Sequence, residues 1–253
     1  MKLFVDHNTY INTDEPKDIS ISLKQEEPHL KAWYLNDPVM SPVMENGFIG
    51  SVSEGGAVNF RNIHFNPHGH VTHTECLGHI TNKVHSINQS LKSYFFKAQL
   101  ISIEPRLINV EKYKSMDFVI QLSDLKKFNI HNDTEAIVIR TLPNALSKEH
   151  LNYSDTNPPY LDIETITFFN DHGIKHLLID LPSVDRESDD GELLFHHAFW
   201  GVPDNLNFER TITELIYVDS CIEDGNYILE LQVAPFENDA APSRPTLYEL
   251  KKA

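Results

Sequence analysis

The sequence has 253 residues, enough for one domain with a sizeable core and cramped for two large ones. Its 37 acidic and 21 basic residues leave a net charge of −16, which repels phosphate backbones; with no basic stripe to offset it, nucleic acid is not expected as a partner. No stretch is apolar over a bilayer's thickness, residues 1–9 carry no signal-peptide run, and Cys76 and Cys221 make no disulfide framework, so the expectation is a cytoplasmic protein without a membrane partner.

In chain order, runs of β-branched and aromatic residues predict strands over 18–23, 30–35, 57–65, 95–103, 118–122, 136–141, 176–181 and 227–233. Ser123 is placed to cap a short helix reaching Phe128. Asp162 is placed to cap another, through about Asn170, which Gly173 ends. That helix and the apolar run Leu177-Leu178-Ile179 make an αβ unit. The segment 182–207 reads as long, acidic and irregular, and 239–245 as an extended surface strap. No Gly/Ser-rich linker divides the chain, so one domain over 1–253 is expected. Its class is α/β, with a mixed sheet that has a large antiparallel part.

The chain holds 14 histidines, and His64, His68, His70, His73, His79 and His85 all fall within one short stretch. Neutral imidazoles with a carboxylate suit zinc, manganese, iron or nickel. His73 and Glu75 are two apart, so an extended strand points both the same way. Gly69 and Gly78 permit turns that return His68 and His79 towards them. Metal binding in 68–79 is therefore expected. His64 and His85 are read as structural, and Cys76 as a small buried apolar residue rather than a thiolate ligand. No Gly-x-Ser-x-Gly elbow and no glycine-rich phosphate loop is present.

At these residues the sequence resembles the bacterial cyclase family, which includes metal-dependent kynurenine formamidases and isatin hydrolases. The family signature is His-x-Gly-Thr-His-x-Asp-x-Pro-x-His. Thr72-His73-x-Glu75-x-x-x-His79 matches its second half in register. The first signature histidine falls on Gly69, so His68 or His70 must serve by a one-residue shift, and His68 is preferred. Glu75 stands for the signature Asp, Leu77 for the Pro and Val71 for the Gly. A second segment, Ile179-Asp180-Leu181-Pro182-Ser183-Val184-Asp185, looks like the family's Asp-x-Pro-Ser-Val-Asp stretch. The later family His and Glu correspond to His196 (or His197) and Glu214.

The resemblance implies a swivelling β/β/α fold that gathers His68, His73, Glu75, His196 and Glu214 around one or two divalent ions, zinc or manganese. Glu75 bridges if there are two. It implies hydrolysis of an amide, formamide or cyclic amide in the manner of an arylformamidase, a small-molecule substrate and a homo-oligomer. His79 is either a ligand or the proton-transfer residue, the second being preferred, with Asp180 or Asp185 nearby to restore its basicity. Phe65, Phe199 and Trp200 are read as core packing before a substrate wall. The competing readings are a non-catalytic metal or small-ligand binding protein, and a hydrolase of lactones or cyclic imides.

Overall fold

A computed structural model describes all 253 residues. Nine strands form its main sheet. In chain order they are β1 (Lys17–Asp18), β2 (His73–Glu75), β3 (Phe95–Ile103), β4 (Ala136–Thr141), β5 (His176–Ile179), β6 (Thr211–Glu214), β7 (Gly225–Glu230), β8 (Ala240–Pro242) and β9 (Thr246–Glu249). They lie side by side as β8-β2-β6-β5-β4-β3-β7-β9-β1. The central four, β6-β5-β4-β3, are mutually parallel, and both wings are antiparallel. The expectation of a mixed sheet with a large antiparallel part holds.

The central strands explain their own position. Every residue of β4 and β5 is buried, as parallel strands covered on both faces require. Alternation then sorts the side chains. Ile137, Ile139, Leu177 and Ile179 pack with Phe168, Phe169, Phe195, Phe199 and Trp200, which come from the helices α1 (Ile166–Asp171) and α2 (Leu194–Trp200). Ala136, Val138 and Leu178 face the opposite layer, with Phe96, Leu229 and Leu247. Asp162 accepts a hydrogen bond from the Glu164 amide at 2.8 Å and starts a 3-10 turn that runs into α1, which Gly173 follows at φ 65°.

Several expectations fail locally. Residues 30–35 form no strand: Trp33 and Tyr34 both have positive φ, which breaks any extended run. The expected strand 18–23 shortens to β1 and one bridge, Ser20 to Ile216. The helix near Ser123 is Leu122–Leu125, capped by Gln121 two residues earlier than expected, where the Gln121 amide donates to the Asp124 carboxylate, and it stops short of Phe128. The segment 182–207 is not irregular throughout, since it contains α2, which Gly201 ends at φ 66°. The tail near 240 is no surface strap. Ala240 and Ala241 are fully buried in β8, which closes the sheet edge against β2.

Candidate metal centre

The register between β2 and β6 builds the centre's floor. His73 lies directly opposite Glu214, and Glu75 is two residues along on the same face, as the period of a strand demands. All three are buried. Their undersides are held by the strand's other face, where the Thr74 and Thr213 hydroxyls meet at 2.8 Å.

His68 reaches this floor from a single helical turn, Pro67–His70. Asn66 caps the turn by accepting from the His68 amide at 3.0 Å, and Pro67 takes the first position, where no amide donor is needed. A Cβ on Gly69 would sit 2.9 Å from the Ala32 carbonyl oxygen and 2.5 Å from the Leu35 side chain, so only glycine lets the 30s segment pass. Trp33 Nε1 donates to the His68 carbonyl at 3.2 Å and pins the turn from outside. His70 points the other way. Its Nδ1 accepts from the Asn66 amide, and its Nε2 lies 3.0 Å from the Asn36 carbonyl. His68, not His70, joins the cluster.

His196 arrives on α2. Asp185 accepts from the Phe195 and His196 amides at 2.8 and 3.0 Å and lies 2.6 Å from His196 Nδ1. That contact leaves Nε2 aimed at Glu75 Oε1, 3.2 Å away. His197 instead turns to the Val202 carbonyl, in a packing role. Glu214 Oε1 accepts from the Val184 amide at 3.1 Å, and its Oε2 stands 3.5 Å from His73 Nε2.

The donors fit a divalent cation. Four ligands at about 2.1 Å from an ion stand about 3.4 Å apart. His73 Nε2 is 3.5 Å from Glu214 Oε2 and 4.0 Å from Glu75 Oε2, and Glu75 Oε2 is 3.1 Å from His68 Nδ1. His73 Nε2 and Glu75 Oε2 are buried without an aligned hydrogen-bond partner, which is costly unless something else lies between them. Two donor sets share Glu75: His73 with Glu214, and His68 with His79. A third set, Glu27, His29 and Asp37, already has a cation, since Lys31 Nζ lies 2.5 Å from Asp37.

Charge follows geometry. Burial pushes Glu75 towards its neutral form, but the surrounding imidazoles outweigh it and lower its pKa well below the usual value. Burial likewise opposes a charged His68, yet the Asp239 and Glu75 carboxylates raise it to about 10. The site thus holds protons where a dication would otherwise sit.

Asp239 was not expected. Its Oδ2 lies 3.0 Å from His68 Nε2 and 3.2 Å from His79 Nδ1, and β8 delivers it. The expected helpers of His79 are elsewhere: Asp185 serves His196, and Asp180 accepts from the Thr141 amide and pairs with Lys148 at 2.9 Å. No local pattern marks Asp239, which stands 160 positions beyond His79. Cys76 is buried, donates to the His85 carbonyl, and has its thiol pKa raised by burial, as a packing residue would. Phe199 and Trp200 are core residues, the latter donating to the Arg210 carbonyl.

A family model described as Putative cyclase matches residues 17–186, about two-thirds of the sequence. The chain belongs to the cyclase family. Within it, a kynurenine formamidase of Bacillus thuringiensis (strain Al Hakam) is 27% identical over 198 residues, covering 78% of this chain and 83% of that protein. A kynurenine formamidase of Bacillus anthracis matches to the same extent. Among solved structures, an isatin hydrolase bound to the product analogue thioisatinate superposes with a TM-score of 0.63 at 14% identity, over 94% of this chain and 93% of that one. A potential metal-dependent hydrolase with cyclase activity gives 0.62 at 15% identity, over 92% and 97%. These two likenesses establish the fold.

Proposed function

We propose that this cyclase-family chain is a metal-dependent hydrolase that cleaves an amide bond, a formamide or a cyclic amide, in a small molecule. The observation that carries the reading is the pair of orphaned buried atoms, His73 Nε2 and Glu75 Oε2, facing each other across a set of three imidazoles and two carboxylates. The kynurenine formamidase relatives supply the amide chemistry. His68, His73, Glu75, His196 and Glu214 would hold one or two ions, zinc or manganese, with Glu75 shared if two bind. A bound divalent ion supplies a Lewis acid that polarises the carbonyl and makes water acidic near neutral pH.

The chain's own residues do the rest. Asp185 fixes the His196 tautomer, and the Val184 amide fixes the Glu214 rotamer. His79 is the exposed member, 31% accessible against 0% for His73 and 3% for His196. Asp239 holds its Nδ1, so Nε2, 3.9 Å from Glu75 Oε2, would be the nitrogen that gives a proton to the leaving nitrogen. Asp239 thus takes the supporting place expected of Asp180 or Asp185.

The test is a panel of formanilides, cyclic imides and lactones, run on metal-loaded and chelated protein. Hydrolysis of a formanilide or cyclic amide that stops on chelation is expected. Metal binding without turnover of any member would make the protein a binding module, and turnover of lactones alone would move the reading to ester chemistry. His79→Ala should keep its metal and lose about 10²–10⁴ in kcat. Loss of the metal in that variant would make His79 a ligand, a role its place beside His68 and Glu75 also permits.

A further inference from the structure

Residues 18–24 read Asp-Ile-Ser-Ile-Ser-Leu-Lys, a strict alternation of polar and apolar side chains, although only Asp18 and Ser20 pair as a strand does. Ile19 and Ile21 are buried in two core clusters. The period of two therefore turns Asp18, Ser20, Ser22 and Lys24 outward together. They form one wall of a cavity of about 430 Å³. Glu149, from the turn Leu146–His150, and Ser243 and Arg244, which follow β8, complete it. The volume falls within the roughly 300–1,000 Å³ of small-molecule sites. No residue of the metal centre lines it. The two meet where the Ser243 amide donates to the Thr72 carbonyl at 3.0 Å, one residue before His73.

Two of the cavity's charges answer each other and two do not. Arg244 Nε lies 2.7 Å from Asp18 Oδ2, and the Ser20 hydroxyl and amide donate to Asp18 Oδ1 at 2.6 and 2.9 Å. Lys24 and Glu149 have no ion-pair partner, and Glu149 is half-buried. Ser243 Oγ is buried without any hydrogen-bond partner, which is costly unless something else supplies one.

These unanswered groups define what fits. An ammonium and a hydroxyl donor call for a carboxylate, and a carboxylate calls for an ammonium. Ile21 is the only apolar residue in the lining, so an apolar body has nothing to pack on. A polyanion is opposed by Glu149 and by the chain's charge of −16, and a bare cation by Lys24. We infer that this cavity binds a small hydrophilic zwitterion, a free α-amino acid. Its carboxylate lies against Lys24 and the Ser243 hydroxyl, and its ammonium against Glu149. The site is independent of the proposed hydrolysis.

Calorimetric titration of the metal-loaded protein with L-serine tests it. One saturable site per chain is expected, and it should persist after chelation, since the metal centre contributes nothing to it. Acetate and ethylamine each carry one of the two charges and should bind at least about tenfold more weakly. Glu149→Gln keeps the shape and should cost about tenfold. Lys24→Met, at an exposed position, should cost about threefold. No saturable binding, binding lost with the metal, acetate held as tightly as serine, or an affinity unchanged by Glu149→Gln overturns the inference. Should Glu149→Gln fail to fold, the comparison of L-serine with acetate and ethylamine on the wild type decides.

Discussion

Asn66 divides two stretches that could hardly differ more, the arm of residues 39–64 before it and residues 68–79 after it. Before it, the arm is exposed, nearly uncharged and paired only with itself. After it, residues 68–79 are dense in titratable side chains and mostly buried, and four separate elements hold them: the Trp33 segment, β6, α2 and β8. Burying charge is tolerable only where every group has a partner, or where an ion supplies one. The buried stretch is therefore the one that calls for a cation, while the exposed one needs none.

The contrast breaks most sharply at Glu75. Glu75→Gln keeps the shape and removes the charge that both donor sets share. It should release the metal and lower turnover beyond the roughly 10⁴-fold expected for loss of one proton-transfer group, with an unchanged circular dichroism spectrum. A variant within tenfold of wild type would show that Glu75 is not central. Next is Asp185→Asn, which should weaken metal affinity by about 10–100-fold through the loosened His196. Calorimetric titration reads this, and unchanged affinity would mean that α2 alone orients the ring.

Proton linkage gives a smaller, graded effect. Burial opposes a charged His68, but Asp239 and Glu75 lift its pKa from 6.5 to about 10. In the metal-free protein those contacts stabilise fully below about 6.5 and fade as pH rises towards 10. Metal must displace that proton, so affinity should rise with pH across the same window, by up to about tenfold per unit for one proton. Titrations in two buffers of different ionisation enthalpy measure the release at pH 8, and none released would contradict the assignment. The smallest effect belongs to the arm. Gly47 sits at φ 82° with nothing near its missing Cβ, so Gly47→Ala costs only backbone strain, about 1 kcal/mol. Faster exchange confined to the arm, with kcat unchanged, is expected, and slower turnover would tie the arm to the site.

How far the sequence could be read follows the same division. The period of two in His73-Thr74-Glu75 was enough to place both side chains on one face, because a strand's geometry is local. Strands β3 and β4 were legible residue for residue, β4 because full burial imposes an apolar run and β3 because its buried residues largely alternate with more exposed ones. His196 and Glu214 were legible only through the family likeness, as nothing in their own neighbourhoods names their partners. Asp239 was hidden because its role depends on β8 adding to β2, and Ala240-Ala241-Pro242 looks like a surface tail until that edge is known to be free. The 30–35 segment misled because its β-forming residues are overruled by Trp33, which bends out of the strand region to reach the His68 carbonyl.

The central claim is that the buried histidines and carboxylates enclose a catalytic divalent ion, and anomalous scattering from a crystal of the purified protein at the zinc and manganese edges tests it most directly. The account predicts the strongest peak within bonding reach of His73 Nε2, Glu75 and Glu214, a second, if present, beside His68, and a coordination position open on the His79 side. No peak there, or an ion enclosed entirely by protein ligands, would contradict it.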